Sequence, residues 1–187
     1  MEDHNAYILN AIRLAVWSGF YELDAVDAMI DDLLEGGENE ALLRAAIAPE
    51  FARKAAAELT WPEQTDCDRL WQAFEWLNEQ GIVALHNAGY TMSDGLDDVR
   101  EAAQKVSLPA AVRGYCFYHG QDTERAVDGG GLNIAFGSFD HDADHKKRVG
   151  TAVRRALQGA SLVVEWDENP EKRLYLPTFD WKLRTAA

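Results

Sequence analysis

The segment from Thr65 to Leu85 constrains the fold most strongly, because a clear helix there runs directly into a strand. Its buried stripe is predicted from apolar residues at helical spacing: Cys67, Leu70, Phe74 and Leu77. Gly81 then suits the end of a helix, and Ile82-Val83-Ala84-Leu85 is typical of a buried strand. The type of secondary structure therefore changes near residue 81.

The patterns on the two sides of this point predict an α+β protein. Residues 1–81 read as an acidic, bundle-like helical region, in which Pro49 favours the start of a new helix. Residues 82–187 predict a mixed sheet with the order β-α-β-α-β-α-β-β. The seventh of these elements is a strand at Leu162–Trp166. A domain boundary is expected at residue 81, although the two regions can share one core.

Charge is distributed unevenly along the chain of 187 residues, whose formal net charge is −14. Residues 1–50 contain 11 acidic and 2 basic residues, and residues 51–100 contain 9 and 4, whereas the remainder is nearly neutral. The acidic region of residues 1–100 would repel nucleic acid, since affinity for nucleic acid depends on neutralising phosphates. It would attract a basic protein partner. Solubility alone is the simpler explanation of the same charge.

The chain has the composition of a cytoplasmic protein. No apolar run approaches the length of a membrane span, and the acidic N-terminus MEDHNAY does not resemble a signal peptide. Cys67 and Cys116 lack the spacing of a metal or redox pair and are expected to be buried thiols. We expect no membrane association, no nucleic-acid binding and no cofactor.

The first candidate site is His119-Gly120-Gln121-Asp122, where a predicted strand passes into a helix. His119 there is a candidate base and Asp122 a candidate orienting carboxylate. The alternative is structural: Asp122 caps the next helix and His119 simply ends the strand. His86 is a weaker candidate, which would emerge beside His119 if strands 82–87 and 114–119 were parallel neighbours.

The second candidate site is the run Phe139-Asp140-His141-Asp142-Ala143-Asp144-His145. On a helix, His141 and His145 would lie one turn apart, as two metal ligands could. Asp140 could complete a site for a divalent metal with them. The alternative is a solvated helix start, because acidic residues favour the positive end of the helix dipole.

One predicted helix, residues 142–158, is basic and carries Lys146, Lys147, Arg148, Arg154 and Arg155. These cations could contact an acidic partner or the acidic part of the chain itself. A solvated helix surface is the simpler interpretation.

Several motifs in the same order resemble a bacterial family of uncharacterised proteins, known only as a domain of unknown function. They are WSGFY, TDCDRLWQAFEWLNEQGIVALHNAGYTMSDG, GYCFYHGQDTERAV with GGGL, VEWD and LPTFDW. The resemblance covers nearly the whole chain and implies a bacterial, cytosolic protein of α+β type. It implies no activity, cofactor or catalytic residue.

Three functions remain open from the sequence. The first is a non-enzymatic interaction or regulatory protein whose acidic helical region binds a basic protein. The second is an enzyme, or a small-ligand or metal-binding protein, that uses a His/Asp cluster at strand ends. The third is a winged-helix-like DNA binder, suggested by the helix that runs into a strand and disfavoured by the charge of −14.

Overall fold

The computed structural model describes residues 2–105, 113–140 and 142–185. Within these residues the elements in chain order are α1 (Glu2–Ser18), α2 (Leu23–Leu33), α3 (Glu40–Glu58), α4 (Asp66–Glu79), β1 (Ile82–Leu85), α5 (Met92–Lys105), β2 (Gly114–Phe117), α6 (Gly120–Val127), β3 (Leu132–Gly137), α7 (Ala143–Gly159) and β4 (Leu174–Leu176). The α+β class, with helices first and a mixed sheet second, is confirmed. None of the described helices is both long and apolar enough to cross a lipid bilayer.

The chain divides into two compact units. One comprises Met1–Thr65 with Lys182–Ala187, and the other comprises Asp66–Trp181. Helix α4 therefore belongs to the unit that contains the sheet, although the sequence pattern grouped it with the helical region 1–81. The boundary expected at residue 81, between regions that can share one core, stays a prediction.

The first unit is built on the packing of α1, α2 and α3 against one another. Its core is formed by apolar residues at helical spacing: Ile8, Ile12, Val16, Val26, Ile30, Leu43 and Ile47. At the edge of this core the indole Nε1 of Trp17 donates to Oε1 of the buried Glu50 at 2.6 Å. The apolar residues that recur at helical spacing in the sequence are thus the residues that form this core.

Pro49 does not begin a new helix, contrary to the sequence expectation, but lies inside α3. The buried stripe of this helix continues through the proline as Leu43, Ile47, Glu50 and Lys54. Lys54 is only 1% exposed, and its Nζ lies 2.9 Å from Glu58 Oε1 and 2.5 Å from Thr185 Oγ1. Packing on both sides of the exposed proline outweighs the hydrogen bond that proline removes.

The second unit contains a four-stranded sheet with the order β1-β2-β3-β4. Strands β1 and β2 are parallel, whereas β2–β3 and β3–β4 are antiparallel. The hypothesis that the first two strands are parallel neighbours is therefore confirmed. Helix α5 covers Val83 and Phe117 through Val99, while α4 packs against β1 and α7 against β2 and β3.

The strand predicted at Leu162–Trp166 is absent from the structure, which has there an isolated bridge between Glu165 and Tyr175. Ser161 and Glu168 have left-handed φ angles of 65° and 64°, so the backbone turns on both sides of the segment. Val163 is 57% exposed. The predicted strand is therefore wrong, because the segment between these two turns pairs with β4 only at the single bridge.

Candidate functional site

The parallel pairing of β1 with β2 brings His86 and His119 to the same edge of the sheet. Leu85 is in register with Phe117, so the chain leaves both strands at the same level. Beyond them, Ala88 N donates to Tyr118 O and Gly120 N donates to Gly89 O, both at 2.9 Å. The carboxyl ends of the two strands therefore form one continuous edge, which agrees with the hypothesis of parallel neighbours.

His119 is the N-cap of α6 and is almost fully buried. Its Nδ1 accepts from the backbone N–H of Asp122 at 3.4 Å, and the side chain of Asp122 accepts from the backbone N–H of His119 at 3.5 Å. The alternative that Asp122 is the cap is thus wrong, because Asp122 is the third residue of the helix. The two residues form a reciprocal capping box with histidine in the place usually taken by serine or threonine.

The other nitrogen of His119 is also engaged. Nε2 lies 3.1 Å from Asp122 Oδ2, and since Nδ1 accepts a hydrogen bond, Nε2 carries the proton of the neutral ring. Burial lowers the pKa of His119, and the nearby Arg173 and Arg125 lower it further against the opposing effect of Asp122. In this arrangement the imidazole is neutral, and both of its nitrogens are used within the cluster.

Asp122 is fully buried and is neutralised by arginines from two directions. A guanidinium nitrogen of Arg173 lies 3.0 Å from each carboxylate oxygen, and Arg125 approaches Oδ1 at 3.3 Å. Arg173 precedes β4, far along the chain, and no sequence pattern connects it with Asp122. The cluster of His119, Asp122, Arg125 and Arg173 joins α6 to the loop before β4. The role of His119 and Asp122 in catalysis stays a prediction.

His86 lies in an aromatic pocket beside this cluster. Its ring stacks on Trp71 at a centroid distance of 3.7 Å and on Phe74 at 4.6 Å, and its Nδ1 lies 3.1 Å from the hydroxyl of the buried Tyr118. Burial lowers the pKa of His86 to about 4. The ring is therefore a neutral, packed side chain at neutral pH.

The second candidate site lies at the start of α7. His145 Nδ1 is in contact with Asp140 Oδ2, and Asp142 caps the helix by accepting from His145 N at 2.8 Å. His141 lies outside the described residues. Among the residues that the structure does describe, no group of three or more His, Cys, Asp or Glu side chains is arranged to hold a metal ion.

The two candidate sites lie at opposite ends of the sheet. In the antiparallel register Tyr115 pairs with Gly137 and Phe117 with Ala135, so β2 runs towards His119 while β3 runs away from it towards Asp140. The four residue steps from Tyr115 to His119 alone span roughly 13 Å at the rise of an extended strand. His119 and Asp140 therefore do not form the single cluster that the sequence allowed.

Asp140 and His145 instead line a cavity of about 450 Å³, together with Arg113, Arg148 and Trp76. We refer to it as the α7 cavity. Neither Trp76 nor Arg113 is among the candidate site residues that the sequence suggests. The position of Arg113 directly before a strand was the one feature of the sequence that could have indicated a role in this site. Only the pairing of β2 with β3 brings Arg113 to the level of Asp140.

Comparison with known proteins gives one finding about the family. No curated protein and no solved structure matches the chain. A family model described as "Domain of unknown function (DUF6891)" matches residues 1–185, which is nearly the whole chain. The likeness inferred from the sequence motifs is confirmed at that level, and the chain belongs to this family of domains of unknown function.

Proposed function

We propose that the chain is a non-enzymatic interaction protein of the bacterial cytoplasm, which binds a basic protein partner through the surface of α2. This surface comprises Asp24, Asp31 and Asp32 on the outer side of the helix, with Glu22 and Glu35 at its ends. All five residues are exposed. The free, buried Cys67 and Cys116 support a reducing compartment such as the cytoplasm.

The observation that carries the proposal is that, among the described residues, four of the five carboxylates of this surface have no counter-charge; Asp31 is the exception. Residues 22–43 contain no lysine or arginine. Arg44 pairs with Asp27, Asp31 and Glu40. In the described part of the chain, no cation pairs with Glu22, Asp24, Asp32 or Glu35. An uncompensated acidic surface accelerates association with a basic partner through long-range attraction.

Two exposed apolar side chains lie at the start of the same surface. Tyr21 is 41% exposed and Leu23 is 46% exposed. Charged groups supply the rate and specificity of association, whereas tyrosine and other large apolar side chains supply most of the binding energy. Carboxylates beside exposed apolar side chains are what a partner with a basic, amphipathic segment requires.

The test is affinity capture from a bacterial extract by the wild-type protein and two charge-reversal variants. Asp24→Lys with Asp32→Lys alters the α2 surface. Glu75→Lys with Glu79→Lys is the matched control, since these are exposed carboxylates of α4 that change the net charge equally. We expect a basic protein to be retained by the wild type and by the control but lost from the α2 variant.

The kinetics of the captured protein provide the second part of the test. Its association rate should fall as ionic strength rises, because salt screens the attraction between exposed charges. Equal capture by the α2 variant and the control, or an association rate that does not change with salt, would refute the proposal.

A further inference from the structure

The α7 cavity has the size of a small-molecule site. Its volume of about 450 Å³ falls within the range of roughly 300–1,000 Å³ that is common for ligand pockets. It is formed within the second compact unit, from the helices α4 and α7 and the ends of three strands. It is separate from the α2 surface, which belongs to the other unit.

Two guanidinium groups line this cavity, and neither forms an ion pair with another described residue. In the described ranges, neither Arg113 nor Arg148 has a side-chain hydrogen bond or ion pair. Arginine presents several donors in a fixed plane that matches the oxygens of a phosphate or a carboxylate. Unpaired arginines beside a cavity therefore provide the donors for an anionic ligand.

Arg148 differs in this respect from most of the other basic residues of α7, which form ion pairs. Lys146 pairs with Glu171 at 3.0 Å, while Lys147 and Arg154 pair with Glu168 at 3.4 and 3.1 Å. The loop before β4 thus neutralises three cations of the helix, whereas Arg148 and Arg155 have no partner among the residues that the structure describes. Of these two, Arg148 lines the α7 cavity, and Arg155 lines only a neighbouring depression.

His145 adds a third nitrogen donor. Its Nδ1 contacts the carboxylate of Asp140, which orients the ring. Among the described residues its Nε2 has no partner. A carboxylate-bound imidazole whose second nitrogen is open can bind an anionic oxygen when the ring is protonated.

Trp76 supplies a surface for the rest of a ligand. It lines the cavity and is 47% exposed. Covering the faces of an exposed indole with another aromatic ring is favourable. A planar ring stacked on it would cover the indole while the arginines bind the anion.

We propose that the α7 cavity binds a small molecule in which a phosphate or carboxylate group is attached to a planar ring. Arg113, Arg148 and His145 bind the anionic oxygens, and Trp76 stacks on the ring. Because the whole chain carries a charge of −14, the attraction is local, and neutral or purely apolar molecules do not bind.

The test is calorimetric titration of the full chain with phenyl phosphate, benzoate, inorganic phosphate and benzyl alcohol. We expect phenyl phosphate or benzoate to bind, and the tighter of the two identifies the anionic group. Inorganic phosphate should bind more weakly, because it lacks the ring, and benzyl alcohol should not bind.

Variants then locate the site. Arg113→Gln and Arg148→Gln should each weaken binding roughly tenfold or more, because each removes a bidentate donor. Trp76→Leu should weaken binding of the ring compounds and leave inorganic phosphate unchanged. Arg155→Gln, which removes an equally exposed and unpaired arginine of the same helix, should have no effect.

Three results would overturn the proposal. They are the absence of binding by every anion at 10 mM, an equal loss of affinity in Arg155→Gln and Arg148→Gln, and unchanged affinity in both Arg113→Gln and Arg148→Gln. Circular dichroism and thermal unfolding of each variant confirm that the fold is retained, which these exposed positions lead us to expect.

Discussion

A guanidinium nitrogen of Arg173 lies 3.0 Å from both carboxylate oxygens of Asp122, which is fully buried. The two residues lie 51 positions apart in the chain. Their contact connects the N-terminus of α6 with the loop that leads into β4. The pair that the sequence offered as catalytic, His119 and Asp122, is thereby part of an internal ionic network.

Replacing Asp122 with alanine should destabilise the protein. The substitution removes the acceptor for Arg173 and half of the capping box, and the loss of one member of a buried ion pair costs about 3 kcal/mol. Urea unfolding measures the change. Asp98→Ala is the control, because Asp98 is an exposed carboxylate of α5, and its free energy of unfolding should stay within about 0.5 kcal/mol of the wild type. Equal stability of the two variants would contradict the prediction.

The burial of His86 predicts a decline in stability on mild acidification. Its pKa is about 4 in the folded protein against 6.5 for the free side chain. Between these values the unfolded chain binds a proton that the folded protein does not. The free energy of unfolding therefore falls as the pH decreases from 6.5 to about 4, by about 3 kcal/mol in total.

The contribution of His86 can be isolated with His86→Phe, which keeps an aromatic ring against Trp71 and removes the titrating group. Urea unfolding at intervals from pH 7 to pH 4.5 should show a shallower decline in the variant than in the wild type. Carboxylates and His119 titrate in both proteins and cancel in the difference. Parallel stability curves would show that His86 does not titrate as its burial implies.

Gly95 lies inside α5, where alanine would ordinarily favour the helix by about 1 kcal/mol. A Cβ atom there would lie 2.3 Å from Cε2 of Phe117 and 2.9 Å from the carbonyl oxygen of Ala88. Gly95→Ala should therefore destabilise the protein by about 1–3 kcal/mol, since overpacking displaces the strand residue.

Gly159, the last residue of α7, is the matched control for Gly95. A Cβ there has no neighbour within 4 Å, so Gly159→Ala should leave stability unchanged or raise it by up to about 1 kcal/mol. Thermal unfolding compares the two variants. A gain in stability for Gly95→Ala would show that α5 can move away from the sheet at no cost.

The two thiols should be unreactive in the native protein. Cys67 and Cys116 are both fully buried, and burial raises the pKa of the Cys116 thiol. The thiolate that attacks a disulfide reagent is therefore scarce and inaccessible. Titration with a chromogenic disulfide reagent should release less than one equivalent without denaturant and two in guanidinium chloride. Rapid release of two equivalents from the folded protein would contradict this.

The sequence by itself determined most of the helices and strands of this protein, because local spacing of apolar residues is sufficient for most of them. The apolar residues of α4 and the change of period at Gly81 predicted a helix followed by a strand, and both are present. The strand predicted at Leu162–Trp166 is absent, because the segment between the turns at Ser161 and Glu168 pairs with β4 at only one bridge. Pro49 was misleading because packing of Ile47 and Lys54 sustains α3 through it.

Only the tertiary structure decided which polar residues meet. Sequence spacing connected Asp122 with His119 and Asp140 with His145, since these pairs are three and five positions apart. It could not connect Asp122 with Arg173, because that contact depends on how the chain returns to the sheet. The antiparallel register of β2 and β3 separates His119 from Asp140, and it brings Arg113 towards Asp140 instead. The direction in which a strand runs depends on how the whole sheet is assembled. The residues at the strand ends therefore could not predict which of these ends lie at the same edge of the sheet.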